Sequence, residues 1–129
     1  MVIDTSAVLA IFQQEAECPV FARAIADAVR VWLCAINYVE CATVIESRHG
    51  PRGKEWFDGF LTDGHIDIAP VDIDTANRAR RAYATFGKGR HPAGLNLADV
   101  FAYALAKSLN EPLLFKGEDF AKTDIASAV

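Results

Sequence analysis

Four acidic side chains stand where a short apolar stretch ends or where a helix begins. Asp4 ends the apolar run MVID, and Glu40 lies in the first turns of the helix predicted after VWLC. Asp99 lies in the first turn of the helix that follows Asn96, and Asp119 follows the last apolar stretch by four residues. Carboxylate oxygens in a small cluster are ligands that suit Mg²⁺ or Mn²⁺. The chemistry that such a cluster supports is metal-assisted hydrolysis of phosphodiesters.

The elements that must position these acids alternate between short apolar strands and helices. Strands are predicted at MVID, VWLC, HIDIAPV and Leu113–Phe115. Helices are predicted at about Thr5–Gln14, at CPVFARAIADAVR, at AINYVECATVIESRHG with its end at Gly50, at GKEWFDGFLTDG, at DIDTANRARRAYATFGKG and from Leu97. This alternation predicts an α/β fold with a mostly parallel sheet that is covered on both faces.

Such a sheet would bring the acids together. The carboxyl ends of parallel strands and the starts of the following helices share one edge, where ligands bind. Asp4, Glu40 and Asp119 are therefore expected to converge there. Asp99 joins them if its helix has the same orientation as the others, although no clear strand directly precedes it.

Helix capping is the competing explanation for each acid taken alone. The segments Asn37–Glu40 and Asn96–Asp99 both resemble capping boxes, and Asp4 could cap the helix after it. An acid in a first turn also suits the helix dipole, by about 0.3–1 kcal/mol. Glu40 further belongs to a polar stripe that could simply face solvent, made of Asn37, Glu40, Thr43 and Ser47.

The joint pattern favours a metal site over capping alone. The helix that carries Asp99 is apolar nearly all round, and helices of that kind are buried. A buried carboxylate costs several kcal/mol unless it is paired or binds a metal, and several carboxylates at one edge raise one another's pKa values. A divalent cation removes both penalties.

The same segments resemble a known family. MVIDTSAVLAIF, the helix with Glu40, GRHPAGLNLADVFAYALA and PLLFKGEDFAKTDI together are similar to a PIN domain, and more closely to the VapC-type toxins of bacterial type II toxin–antitoxin modules. The resemblance covers essentially the whole chain. It implies an α/β/α sandwich and a Mg²⁺-dependent endoribonuclease, with Mn²⁺ as an alternative ion. It also implies a homodimer that a cognate VapB-type antitoxin neutralises.

The resemblance assigns a role to each acid. Asp4 and Asp99 match the principal metal ligands of the family, and Glu40 matches the acid that binds metal or orients the attacking water. Asp119 matches the acid of the family's "DF" element.

The chain departs from the family pattern near that element. Many PIN domains carry an additional acid two residues earlier, where this chain has Gly117. Either Asp119 serves alone or Asp124 contributes. Thr5 and Ser6 resemble a hydroxyl position of the family, and either hydroxyl could also cap a helix.

The length, composition and charge of the whole chain limit the kinds of function that it can have. The 129 residues fit one domain, residues 1–129. No apolar run is long enough to span a membrane and no signal peptide is visible, so we expect a cytoplasmic protein without a membrane partner. The net charge is −4, so the overall electrostatic field gives no indication of nucleic-acid binding. Three cysteines form no metal-like pair and predict reduced, buried thiols; they are Cys18, Cys34 and Cys41.

One stretch is locally basic, and it has three interpretations. It comprises Arg78, Arg80, Arg81, Lys88, Arg90 and His91. These side chains could contact an RNA backbone or the acidic tail of an antitoxin, or they could form an ordinary solvated surface. The three histidines are scattered and are not expected to be ligands, whereas Trp32 and Trp56 are expected in the core or at a dimer interface.

Two other functions are compatible with parts of the sequence. One is a catalytically silent PIN-like module that only binds a partner. The other is a small phosphatase, because DIDT at Asp72–Thr75 resembles a nucleophile loop of haloacid-dehalogenase phosphatases. That segment runs directly into a helical pattern, which favours Asp72 as a helix cap.

Overall fold

The computed structural model describes residues 1–129. Its four strands are β1 (Val2–Ile3), β2 (Val31–Cys34), β3 (Ile66–Ala69) and β4 (Leu113–Leu114). Its five α-helices are α1 (Thr5–Phe12), α2 (Cys18–Asp27), α3 (Ala35–Asp63), α4 (Ile73–Phe86) and α5 (Leu97–Leu109). A single 3-10 turn, Phe120–Lys122, follows the last strand. None of the helices combines the length and the apolar character needed to cross a membrane.

The four strands form one parallel sheet in the order β3-β2-β1-β4. Val2 pairs with Trp32 on one side and with Leu113 on the other. The main chain near the C-terminus extends the sheet beyond β4, because the Leu113 N–H donates to the Ala126 carbonyl at 2.9 Å. The predicted parallel sheet is confirmed.

Successive strand residues face opposite layers, as the pleat requires. In β1, Val2 packs in a cluster with α4 and α5, whereas Ile3 packs with α1, α2 and α3. Leu113 and Leu114 divide in the same way. Both sheet faces are therefore covered by helices, and the expected α/β/α sandwich is confirmed.

Several predicted boundaries differ from the structure by one to three residues, and β3 is shorter at both ends than the predicted HIDIAPV. Helix α1 ends at Phe12 rather than Gln14, because Gln14 adopts a φ of 53° that does not continue a helix. Helix α2 ends at Asp27 rather than Arg30, and β4 ends at Leu114 rather than Phe115.

Helix α3 contains a break where the sequence predicts the end of one helix. Gly50 has φ 55° and ψ −138°, and Pro51 follows it in the first turn of the second half. Just beyond the break, a Cβ on Gly53 would lie 2.7 Å from the Ile45 carbonyl oxygen. The two halves of α3 therefore pack closely against each other next to Gly50. The backbone conformation of Gly50 is essentially restricted to glycine.

A pair of glycine substitutions in α3 tests this conformation. A Cβ meets no atom within 4 Å at either Gly50 or Gly59, so neither change introduces a clash. We expect Gly50→Ala to destabilise the fold by about 1–3 kcal/mol, because of its positive φ. Gly59→Ala is expected to stabilise it by up to about 1 kcal/mol, because alanine is the better helix former. Urea unfolding measures both, and similar effects from the two changes would contradict the interpretation.

Candidate active site

The site lies at the edge of the sheet where the carboxyl ends of the strands meet. Asp4 follows β1 directly, Glu40 lies near the start of α3 after β2, and Asp119 lies on the segment after β4. Asp99 lies in the first turn of α5, and its charge raises the pKa of Asp4. The charges of Glu40 and Asp119 in turn raise the pKa of Asp99. The structure therefore brings Asp4, Glu40 and Asp99 together at this edge, with Asp119 next to Asp99.

Asp4 is the most deeply buried of these acids, with 2% of the residue exposed. Its Oδ2 accepts hydrogen bonds from the Ser6 N–H at 2.8 Å and from the Ser6 hydroxyl at 2.6 Å, which makes it the N-cap of α1. Burial raises the pKa of Asp4 to about 6, against the lowering effect of the Ser6 bonds, and the charges of Asp99 and Glu40 add to the rise. Capping and membership of the acidic site thus coexist at Asp4.

Ser6 connects Asp4 to the segment after β4. The Ser6 hydroxyl donates to Asp4 and accepts a hydrogen bond from the Lys116 N–H at 3.0 Å. The Lys116 ammonium in turn forms ion pairs with Glu15 and Glu17, the latter at 3.4 Å. The start of the segment that carries Asp119 is therefore fixed against α1 and the residues that follow it.

Asn37 is the residue at this site that sequence reasoning misassigned. It is fully buried, and its Nδ2 donates to Thr5 Oγ1 at 3.1 Å, to Asp4 Oδ1 at 3.2 Å and to the Ala98 carbonyl at 3.4 Å. It thereby links the starts of α1, α3 and α5. Its Oδ1 is buried without a hydrogen-bond partner.

The alternative of an Asn37–Glu40 capping box is wrong, and the alternative of a solvated polar stripe fails at Asn37, although Thr43 and Ser47 are exposed. Helix α3 begins at Ala35 with Cys34 as its N-cap, so Asn37 already lies inside the first turn. A usable signal was present in the sequence: Asn37 shares an i, i+4, i+8 spacing with the buried residues Cys41 and Ile45.

Asp99 caps its helix and also faces the other acids. The Asn96 N–H donates to Asp99 Oδ2 at 2.8 Å, and the Asp99 N–H donates to Asn96 Oδ1 at 2.9 Å, which confirms the predicted capping box. Burial raises the pKa of Asp99 despite the bond from Asn96. The capping box occupies Oδ2 and leaves Oδ1 available to the site.

The remaining two acids are more accessible. Glu40 is half-buried, and Asp119 is exposed at the start of the 3-10 turn with no capping bond from its side chain. Neither carboxylate is committed to a hydrogen bond or an ion pair within the chain. Both are therefore free to contact water, an ion or a substrate.

Two other acids discussed above have structural partners instead. Asp124 accepts a hydrogen bond from the Tyr103 hydroxyl at 2.5 Å and pairs with Lys107 at 3.0 Å, and both contacts lower the pKa of Asp124. Asp72 caps α4, with its Oδ1 accepting from the Thr75 N–H at 2.8 Å. Asp124 is thus placed as a tether of the C-terminal segment, and the capping interpretation of Asp72 is confirmed.

The basic stretch lies in the middle of α4 and on the loop that leads from α4 to α5. The Leu95 N–H donates to the Phe86 carbonyl and the Lys88 N–H donates to the Leu95 carbonyl, both at 3.0 Å. These bonds bring the end of α4 close to the start of α5. The His91 ring packs edge-on against Phe86 with the ring centroids 5.1 Å apart, so His91 supports the loop.

None of the cysteines or tryptophans forms a hydrogen bond with the four acids, although Cys41 is buried close to Asp4 and Glu40. Cys34 and Cys41 are buried, Cys18 is half-buried, and all three are free thiols. Trp56 packs between Phe12 and Phe60. The Arg30 guanidinium lies over the Trp32 ring, 4.2 Å from the ring centroid.

The amino-acid sequence matches the PIN domain family over residues 1–126. The chain belongs to the PIN domain family. This PIN domain is 49% identical over 128 residues to Ribonuclease VapC30 of Mycobacterium tuberculosis, with 98% of this chain and 97% of that protein covered. It is 47% identical over 127 residues to Ribonuclease VapC of Mycolicibacterium smegmatis, with 98% of each protein covered. The resemblance to VapC-type toxins is confirmed.

Solved structures agree with this assignment at the level of the fold. The crystal structure of Mycobacterium tuberculosis VapC20, described as a Sarcin-Ricin loop cleaving toxin, matches with a TM-score of 0.77. That match covers 97% of this chain and 95% of VapC20 at 16% identity. A toxin–antitoxin complex from Klebsiella pneumoniae matches with a TM-score of 0.73 and 16% identity, and the match covers 99% of this chain and 97% of that one.

The donor set of this PIN domain fits a hard divalent cation. The four acids offer only carboxylate oxygens, which suit Mg²⁺ or Mn²⁺. Burial first, and then the charges of neighbouring carboxylates, raise the pKa values of Asp4 and Asp99, and a bound cation would offset both effects. No group of three or more His, Cys, Asp or Glu side chains has the geometry to hold an ion jointly. Two carboxylates are sufficient for Mg²⁺, because it usually keeps several waters and meets phosphate oxygens.

The buried carboxyl of Asp4 predicts a pH dependence of stability in the presence of a chelator. The pKa of Asp4 is about 6 in the folded state against 3.8 ordinarily, so between these values the unfolded chain ionises while the folded chain holds the proton. The contribution of Asp4 to the free energy of unfolding therefore falls as pH rises from about 4 to about 6, by about 3 kcal/mol in total.

Comparison with Asp4→Asn isolates this contribution from the other titrating groups. We expect the stability of the variant relative to the wild type to increase from pH 4 to pH 7, as measured by urea unfolding at each pH. A stability difference that does not change with pH would show that Asp4 has an ordinary pKa.

Removing the Asn37 amide should destabilise the site. Asn37→Ala leaves Asp4 Oδ1, Thr5 Oγ1 and the Ala98 carbonyl without this donor, and we expect a loss of about 2–3 kcal/mol in unfolding free energy. Thr43→Ala is the matched control, because Thr43 lies on the same helix and is exposed. The control should change stability by less than about 0.5 kcal/mol. Equal effects in thermal unfolding would rule out the bridging role.

Proposed function

We propose that this chain is a VapC-type endoribonuclease toxin that cleaves RNA phosphodiesters with the help of Mg²⁺, or of Mn²⁺ in its place. Residues 1–129 act as one catalytic domain. The observation that carries the proposal is the grouping of Asp4, Glu40, Asp99 and Asp119 at one sheet edge of a PIN domain. The names of the relatives with 47–49% identity support ribonuclease activity.

Asp4 and Asp99 are the residues that would hold the cation. Each has a raised pKa in the ion-free chain, and each keeps lone pairs beyond those used in capping. A bound Mg²⁺ supplies a lowered pKa for coordinated water and stabilises charge on the phosphate and on the leaving oxygen. Asn37 holds the Asp4 carboxylate in place and ties it to the start of the helix that carries Asp99.

Glu40 and Asp119 would complete the pocket. Glu40 is half-buried next to Asp4 and Asp99, where its carboxylate can orient the attacking water and accept its proton. Asp119 is exposed and its charge acts on Asp99, and we expect its carboxylate to bind water at the rim of the pocket. We assign the fourth acidic position to Asp119 rather than Asp124, because Asp124 is occupied by Tyr103 and Lys107.

The same acids argue against a silent binding module. A carboxyl held at 2% exposure with a pKa of about 6 lowers the stability of the folded chain at neutral pH. A module that only bound a partner would gain nothing from this cost, whereas a metal site would use the grouped carboxylates as ligands. Residues with perturbed pKa values are found preferentially at functional sites.

The proposed partners follow from the family. RNA is the substrate, a VapB-type antitoxin is the inhibitor, and two copies of the chain form a homodimer. The toxin–antitoxin complex from Klebsiella pneumoniae, which shares the fold, supports an antitoxin partner. Large apolar side chains that remain exposed, such as Val29 and Ile73, offer area for protein contacts.

Charge-neutralising substitutions test the catalytic assignment. Asp4→Asn and Asp99→Asn should each reduce Mg²⁺-dependent cleavage of cellular RNA by more than about a hundredfold, and both should abolish growth arrest when the protein is expressed in a bacterial host. Addition of EDTA to the wild-type protein should have the same effect on cleavage. Circular dichroism verifies that each variant is folded.

Two further acids provide controls. Asp72→Asn should retain cleavage, because asparagine also caps helices well, and Asp124→Asn should retain it because Asp124 lies outside the site. Undiminished cleavage by either Asp4→Asn or Asp99→Asn would refute the assignment. Loss of cleavage in Asp124→Asn without unfolding would move the fourth acidic position to Asp124.

A further inference from the structure

A groove lies between α4 and α5, beside the acidic site. Its volume is about 550 Å³, within the range of small-molecule and cofactor sites. Ala76 and Ala79 form its floor, Tyr83 and Phe101 are its aromatic residues, and Arg80 and Lys88 supply positive charge. The groove therefore combines apolar surface, aromatic rings and cations.

No acidic side chain balances the positive charge of the groove. Neither Arg80 nor Lys88 forms an ion pair, and no Asp or Glu is among the lining residues. The chain as a whole has a net charge of −4, so this groove is a local exception. A polyanion that approaches the acidic site would find complementary charge here.

Tyr83 presents a fixed aromatic surface at the groove. A Cβ on Gly87 would lie 2.7 Å from the ring, so the ring packs directly against the Gly87 backbone. The Tyr83 hydroxyl donates to the Lys88 carbonyl at 3.3 Å, and the Arg90 guanidinium lies 5.6 Å from the ring centroid. The Tyr83 residue is 39% exposed, which leaves area on which a nucleobase can stack.

The groove reaches the start of α5, where Asp99 of the candidate active site lies. Asn96 lines the groove and exchanges two hydrogen bonds with Asp99, at 2.8 and 2.9 Å. An RNA strand whose phosphodiester lies at the acids can therefore place a neighbouring nucleotide in the groove.

We propose that this groove is a subsite for the single-stranded RNA substrate, a step that rests on the proposed ribonuclease function. Tyr83 and Phe101 stack on an unpaired base next to the scissile bond, and Arg80 and Lys88 contact the adjoining phosphates. The combination of aromatic rings with unpaired cations is the one that single-stranded nucleic acids require. A purely apolar occupant would leave both cations without partners.

Kinetics and binding with two substitutions test the subsite. Tyr83→Ala and Arg80→Ala should each raise KM for cleavage of a short single-stranded RNA by about 5- to 100-fold, with a much smaller change in kcat. The same substitutions in the non-cleaving Asp99→Asn protein should weaken binding of that labelled RNA by a similar factor, as measured by fluorescence anisotropy. For Arg80→Ala the dependence of log affinity on log salt should become shallower by about 0.7.

Arg81→Ala is the matched control. Arg81 lies on the same helix, about 100° around its axis from Arg80, and lines a different groove. It also forms no ion pair, so the change in charge is identical. Its KM should stay within about twofold of wild type. Equal effects of Arg80→Ala and Arg81→Ala would overturn the subsite in favour of a diffuse electrostatic contribution.

Further measurements distinguish RNA from other possible occupants of the groove. Light scattering on each variant reports the oligomeric state. If Tyr83→Ala dissociates a dimer and RNA binding falls only with dissociation, the groove is a contact with a second copy and the proposal is wrong. Unchanged RNA binding in both variants also overturns it. Failure of the wild-type protein to cleave RNA refutes the proposed function instead, because binding is measured separately.

Discussion

Burial of the Asp4 carboxyl at the end of β1 is the constraint on which the arrangement around the site depends. The sheet fixes its backbone, since the Asp4 N–H donates to the Leu114 carbonyl at 2.9 Å, and leaves only 2% of the residue exposed. Ionising a group in that position is unfavourable without donors. Ser6 supplies two hydrogen bonds and Asn37 supplies a third. These contacts hold the acid in the fold but do not return its pKa to the ordinary value.

The donors to Asp4 also organise the neighbouring elements. Asn37 reaches Asp4 and the Ala98 carbonyl with the same nitrogen atom, so the starts of three helices are fixed relative to one another. Ser6 accepts from the Lys116 main chain and thereby holds the segment after β4. A hydrogen-bond network in which each side chain contacts several others in this way is rigid only when most of these side chains are present.

Local chemistry determined how much could be predicted from the sequence. The parallel sheet follows from short apolar strands alternating with helices, and the Asn96–Asp99 capping box involves residues three apart, so both were predicted correctly. Asn37 was misassigned because its partners lie 32, 33 and 61 positions away in the sequence. The tether between Asp124 and Tyr103 spans 21 positions and was equally invisible. Contacts of this kind follow from the packed sheet and helices rather than from any local pattern.

The Asn96–Asp99 capping box has a consequence for how such a protein changes over generations. The bonds that start α5 use an oxygen and a backbone N–H that asparagine at position 99 would also provide, whereas the negative charge is a separate property of the same side chain. A single base change can therefore silence the site and leave the helix intact. If the proposed activity is costly to a cell, lineages that lose it in this way would retain a folded protein rather than lose the gene product altogether.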